Sequence, residues 1–135
     1  MSALQAPFKN GPLSDLRVIE MGTLLAGPFC GQILGDMGAE IIKVEAPAGD
    51  NMRWVRPMKH PGMGHIHMHL NRNKRSLSVD LKSTRGRAVL ERLIPTADVL
   101  VHNMRVAAIE RLGFGYERLR EIRPDFVLTV DPWLP

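Results

Sequence analysis

A single cysteine, Cys30, stands in these 135 residues. That excludes an internal disulfide framework and a Cys-rich zinc site, and it fits a reducing compartment. Aromatic residues make up only 5% of the chain. None interleaves with its basic run, so no stacking platform for nucleic acid is visible. Long apolar runs are missing too. The most hydrophobic stretch, Leu24 to Leu34, is broken by Gly27, Pro28 and Gly31 and is too short to span a bilayer. The amino terminus lacks a charged segment followed by an apolar one, so no signal peptide is expected. Neither repeats nor low-complexity tracts occur. The expectation is a cytoplasmic protein that engages neither membrane nor nucleic acid.

What is present is ordinary globular material, 44% hydrophobic and 24% charged. The length allows one domain with a modest core. Eighteen basic against fourteen acidic side chains give a net charge of +4, which favours an anionic partner such as a phosphorylated small molecule.

Residues 1–15 carry Pro7, Gly11 and Pro12 as breakers and read as a lead-in. Arg17 to Met21 then reads as a strand and Gly22 to Gly27 as a turn. Pro28 suits the start of a helix, and Phe29, Cys30, Ile33, Leu34 and Met37 recur at helical spacing up to a stop at Gly38. Glu40 to Glu45 completes a strand–helix–strand unit. Residues 46–72 show no periodicity and read as a long loop. Further strands are expected at Ser76–Leu81, Asp98–His102 and Asp125–Val130. Helices are expected at Thr84–Ile94, Ala107–Leu112 and Tyr116–Ile122. This alternation predicts an α/β fold, a parallel sheet with helices on both faces.

Ligands of such sheets bind beyond the carboxyl ends of the strands. Lys82, Asn103 and Arg105 are expected there, with Arg72, Lys74 and Arg75 just before the third strand. Together they suit an anion, since Arg forks onto oxygens and Lys adds a point charge. A solvated basic loop is the alternative. The segment Leu25 to Gly31 lacks both the G-x-G-x-x-G and G-K-[ST] phosphate motifs. Its small residues let a ligand approach the helix start, or merely make a tight turn. His65, His67 and His69 have zinc-like spacing on an extended chain. With no carboxylate or thiolate nearby they read as loop or partner contacts, and no metal site is expected. Cys30 lies at a helix start, where a nucleophile gains reactivity, but its apolar neighbours favour a structural thiol.

Taken in order, Leu16–Glu20, Ala26–Pro28, Leu34–Glu45, Gly49–Asp50 with Arg53, Asn71–Ser76, Asp80–Lys82, Ala97–Val99 with Asn103, Arg111–Gly113, Tyr116 and Pro124 form a specific series. From about Pro12 to Val130 the chain resembles the N-terminal part of a family III CoA-transferase. That group includes formyl-CoA transferase, carnitine CoA-transferase and α-methylacyl-CoA racemase. The resemblance implies that residues 16–135 are the N-terminal part of a Rossmann-like, CoA-binding domain, incomplete relative to the family's. It implies an interlocked homodimer in intact enzymes, and coenzyme A or acyl-CoA as substrate with no permanently bound cofactor. CoA contacts carry over to Ala26, to Val79, Asp80, Leu81 and Lys82, to Asn103, Met104 and Arg105, and to Arg111. Leu25 and Ala46 stand where some members have a polar or basic CoA contact, and Val106-Ala107 where a Pro-Gly pair is common.

Family transferases move CoA between an acyl-CoA and a carboxylic acid through an aspartate that attacks the thioester, whereas racemases exchange its α-proton with an acid/base pair. Both sets of catalytic residues lie beyond this chain, and Asp131 falls too early to match the nucleophile. No catalytic residue is therefore assigned. The leading expectation is a CoA-binding fragment of a transferase that associates with a missing C-terminal half. A racemase fragment and a non-catalytic interaction module or remnant are the alternatives.

Overall fold

The fold is built on one parallel sheet whose strand order reverses beside its first strand. The computed structural model describes residues 11–130. Along the chain run β1 (Arg17–Glu20), α1 (Ala26–Asp36), β2 (Glu40–Glu45), α2 (His65–Leu70), β3 (Lys74–Ser78), α3 (Thr84–Leu93), β4 (Val99–His102), α4 (Val106–Arg111), α5 (Tyr116–Ile122) and β5 (Val127–Val130). The five strands pair in the order β3-β2-β1-β4-β5, every pair parallel. The α/β expectation is met. Because the connections run from β1 outward to β3 and then cross back to β4, the switch point lies between β1 and β4.

Alternation along the strands feeds two cores, one on each face. Val18, Ile41 and Val101 pack towards α1 with Ala39 and half-buried Leu13, Leu16, Cys30 and Leu34. Ile19, Met21, Val44 and Leu100 pack on the other face against Leu90 of α3, Ile109 of α4 and Leu119 of α5, with Ile94 and Phe114 from the turns after α3 and α4. Ser83 caps α3 by accepting from the Gly86 N–H, the usual way to satisfy an orphan donor of the first turn.

Three expectations need correction. The span 46–72 is not a structureless loop. It holds a 3-10 turn at Asn51–Trp54, an isolated bridge between Met58 and Gly64, and α2. Its elements are too short for a periodic signal to emerge. The third strand is Lys74–Ser78 rather than Ser76–Leu81, which places Val79 to Lys82 in the loop beyond the strand end.

The third correction concerns α1. Only part of its expected apolar face turns inward: Cys30 and Leu34 are half-buried against the Val18 core. Its buried residues are Gly27, Pro28, Gly31, Gln32 and Gly35, while Phe29, Ile33 and Met37 are exposed. Close approach to the sheet is the reason. A Cβ at Gly31 would collide with the Glu20 carboxylate, and one at Gly35 would lie 3.1 Å from Ile41.

Candidate functional site

A cavity of about 230 Å³ opens above the carboxyl ends of the strands. Met21 and Thr23 enter it from beyond β1, Val44, Glu45 and Ala46 from the end of β2, and Val79, Asp80, Leu81 and Lys82 from beyond β3. Met104, just after β4, and Leu112, just after α4, close the ring. Seven of these side chains, Met21, Val44, Ala46, Val79, Leu81, Met104 and Leu112, are apolar. The result is a largely apolar slot with a polar mouth, the usual composition of a small-molecule site.

Five of the nine residues expected from the sequence thus meet in one cavity: Val79, Asp80, Leu81, Lys82 and Met104. The other four surround it in the chain. Ala26 is the first residue of α1, three positions beyond Thr23. Arg105 precedes α4 and Arg111 ends it, so the two flank Met104 and Leu112. Arg111 Nε donates to the Ala107 carbonyl at 3.1 Å. Among the described residues neither Lys82 nor Arg105 has an acidic partner, so both cations stand exposed and uncompensated.

Two side chains shape the cavity from behind. Asn103 Oδ1 accepts from the Thr23 N–H at 2.9 Å, and its Nδ2 donates to the Thr23 carbonyl at 2.8 Å. Asp80 Oδ1 accepts from the Lys82 N–H at 2.9 Å, an Asx turn that sets the Lys82 backbone. Arg87 reinforces the same loop by donating to the Lys82 carbonyl at 2.9 Å. Met21, Thr23, Val44 and Leu112 were not legible as site residues, because only the sheet order brings their segments together.

The expected basic run is not part of the cavity. Arg72 pairs with Asp36 at 2.5 Å, Lys74 with Glu20 at 2.5 Å and Arg75 with Glu40 at 2.7 Å. Lys74 and Arg75 lie within β3; the Lys74 charge is neutralised inside the fold and the Arg75 charge at its surface.

Lys74 belongs to a buried polar layer on the α1 side of the sheet. Its Nζ also donates to the Pro28 carbonyl and to Asn71 Oδ1. Burial pulls its pKa down while Glu20 opposes that. Lys43, 2% exposed at its side chain, donates to Glu20 Oε1 and to the Gly22 carbonyl, each at 2.9 Å, and lies 3.3 Å from Asp50 Oδ2. Asp50 Oδ2 accepts no aligned hydrogen bond; the contact is ionic. Glu45 receives two bonds from Arg53, one from the Asp50 N–H and one from Ser76. Burial alone would raise its pKa, but these donors outweigh it and hold the carboxyl at about 2. Through Gly22, Glu45 and Asp50 this layer fixes the turn after β1 and the loop after β2. A second cavity of about 290 Å³ lies on the other side of that loop, lined by the Glu45–Arg53 pair, Trp54, Ser76 and Ser78.

The histidine triad does not share a face, because the segment is helical. His67 is buried and His65 and His69 are exposed, as a turn of 100° per residue requires. Burial pushes His67 down, with Arg53 adding to the effect. No group of three or more metal-ligating side chains occurs among the described residues. Cys30 is half-buried against the Val18 core. Asp131 lies outside the described residues.

The model for CoA-transferase family III matches residues 13–130. Over 118 residues the chain is 43% identical to succinyl-CoA–D-citramalate CoA-transferase of Chloroflexus aurantiacus, covering 87% of this chain and 29% of that protein. It is 37% identical over 117 residues to human succinyl-CoA:glutarate CoA-transferase, covering 86% and 27%. The crystal structure of a CaiB/BaiF family protein from Brucella suis superposes with a TM-score of 0.83 at 38% identity, covering 90% of this chain and 33% of that one. The chain spans about a third of the length of these relatives, as their N-terminal portion. With its residues 13–130 matched and its fold shared, this chain belongs to the family III CoA-transferases.

Proposed function

We propose that this chain is the CoA-binding part of a transferase that moves CoA between an acyl-CoA and a carboxylic acid, the cavity above β1 to β4 taking the adenosine end. The observation that carries this reading is the convergence of Val79 to Lys82 and Met104 on one largely apolar slot, with Lys82 and Arg105 free of acidic partners among the described residues. Val79, Leu81 and Met104 offer flat apolar walls to a purine ring. Lys82, Arg105 and Arg111 supply charge-assisted bonds to the 3′-phosphate and pyrophosphate. Ala26, without bulk, lets the pyrophosphate approach the α1 start, where no side chain caps the N–H groups and the helix dipole favours an anion. Asp80 and Asn103 act by holding the Lys82 loop and the Thr23 turn.

No residue described here is assigned as the attacking carboxylate. The reading places that aspartate in the remaining two thirds of the enzyme, together with the acyl pocket and the dimer partner. The relatives named above are transferases rather than racemases, which favours acyl-CoA and a carboxylic acid as the substrates. No helix among the described residues is long and apolar enough to cross a membrane, and the reading places the enzyme in the cytoplasm.

Calorimetric titration of the purified chain with CoA and with 3′-dephospho-CoA tests the reading. Saturable binding that weakens without the 3′-phosphate is expected. A cooperatively folded chain that ignores both ligands overturns it.

A further inference from the structure

His102 ends β4 and is wholly buried, with 0% of its surface exposed. Strand alternation turns its ring to the same face as Leu100, the side of α3, α4 and α5. There its Nδ1 accepts from the Met104 N–H at 3.2 Å. An imidazole nitrogen that accepts carries no proton, so the ring is the neutral tautomer protonated at Nε2. Burial keeps it neutral by pulling its pKa below the ordinary 6.5. Nε2 is itself buried and has no hydrogen-bond partner among the described residues. A buried donor left unsatisfied lowers stability, and an apolar side chain on this face would carry no such cost. For packing alone the imidazole is a poor choice. Its distinctive contribution is the bond at Nδ1.

That bond reaches two residues along the chain and closes a turn around Asn103. Asp80 does the same beyond β3, where its Oδ1 accepts from the Lys82 N–H at 2.9 Å. The loops that bring Lys82 and Met104 to the cavity are thus each set by a side chain bonding the N–H two residues on, the geometry of an Asx turn. Asp80 lines the cavity and His102 does not, so His102 acts on a ligand only through the turn. We infer that His102 is a positioning residue for CoA, its Nδ1 fixing the turn that delivers Met104 to the cavity and Arg105 beside it. The inference rests on the CoA-transferase reading and adds to its site a residue that never touches the ligand.

The test compares wild type, His102→Leu, His102→Gln and His102→Asn by calorimetric titration with CoA and by thermal melts. His102→Asn places Oδ1 where Nδ1 stands and keeps the turn. His102→Gln puts a carbon there, and His102→Leu offers no acceptor at all. His102→Leu and His102→Gln are expected to weaken CoA binding about tenfold, and His102→Asn to stay within about twofold of wild type. The melts should run in a different order. His102→Leu removes the buried donor and should melt no lower than wild type, whereas His102→Asn leaves a cavity and should melt lower. Affinities that follow the melting order overturn the inference, because they mark His102 as structural only. Equal binding by His102→Gln and His102→Asn overturns it as well, whether or not His102→Leu folds. Nitrogen NMR of the wild-type imidazole gives a reading that needs no ligand: a proton on Nε2 is expected, and one on Nδ1 overturns the inference. A folded wild type that ignores CoA overturns the functional reading and this role with it, whereas a wild type that binds CoA no better than His102→Gln overturns the positioning role alone.

Discussion

Asn103 grips the backbone of Thr23 with both ends of its amide, at 2.9 and 2.8 Å, across 80 positions of sequence. The pair joins the turn after β1 to the turn after β4, the two strands between which the sheet reverses its order. Leu24, next in the chain, sits at a φ of 64°, a left-handed conformation that is costly for a residue with a branched side chain. The Asn103 amide holds that turn where it forms one wall of the cavity.

Asn103→Ala is therefore expected to lower stability by about 1–2 kcal/mol and to weaken CoA binding with it. Asn103→Asp keeps the acceptor for the Thr23 N–H and loses the donor, so its effect on affinity should be intermediate. Urea denaturation and calorimetry on the same samples check both.

Lys82 and Arg111 are expected to matter for ligand, and Arg75 is not. Lys82→Ala and Arg111→Ala should each weaken CoA binding by about 1.5–3 kcal/mol, the range for hydrogen bonds to charged groups. Arg75, whose charge goes to Glu40, should give an alanine variant of unchanged affinity. Unchanged affinity in all three would remove these cations from the site.

Stability should separate the ion pairs by their burial. Lys43→Met strands the buried Asp50 carboxylate and leaves Glu20 with Lys74 alone, a change expected to cost about 3–5 kcal/mol. Arg75→Ala breaks a pair whose arginine is 70% exposed, and its cost should stay below about 1 kcal/mol. Chemical denaturation midpoints measure the contrast.

Acid should unfold the chain in two stages. Burial holds His67 and His102 below the ordinary histidine value of 6.5, so the unfolded chain takes up their protons first. Stability accordingly declines as the pH falls below 6.5. Glu45, held at about 2 against an ordinary 4.5, contributes fully above pH 4.5, on the order of 3 kcal/mol. That contribution drains away between pH 4.5 and 2. Glu45→Gln should melt well below wild type at pH 7, with the gap closing towards pH 2.

The sequence alone determined the order of strands and helices, the parallel sheet and the cavity segment from Val79 to Lys82 with Met104. Hydrophobic alternation and Gly/Pro punctuation are local signals, and a strand–helix–strand repeat admits little besides a parallel sheet. The ordered series from Leu16 to Pro124 marked the family for the same reason, being a string of short local motifs. Tertiary structure alone decided which side of α1 faces inward. Periodicity shows that Phe29, Ile33 and Met37 share a face but not where it points. That depends on Gly31 lying over Glu20. It also decided the fate of the charges. Lys74 reads as a ligand cation in its own segment, yet its partner Glu20 lies 54 residues away on β1. Whether a basic side chain is free for phosphate or neutralised within the core is set by non-local pairing, and no pattern in the chain encodes it.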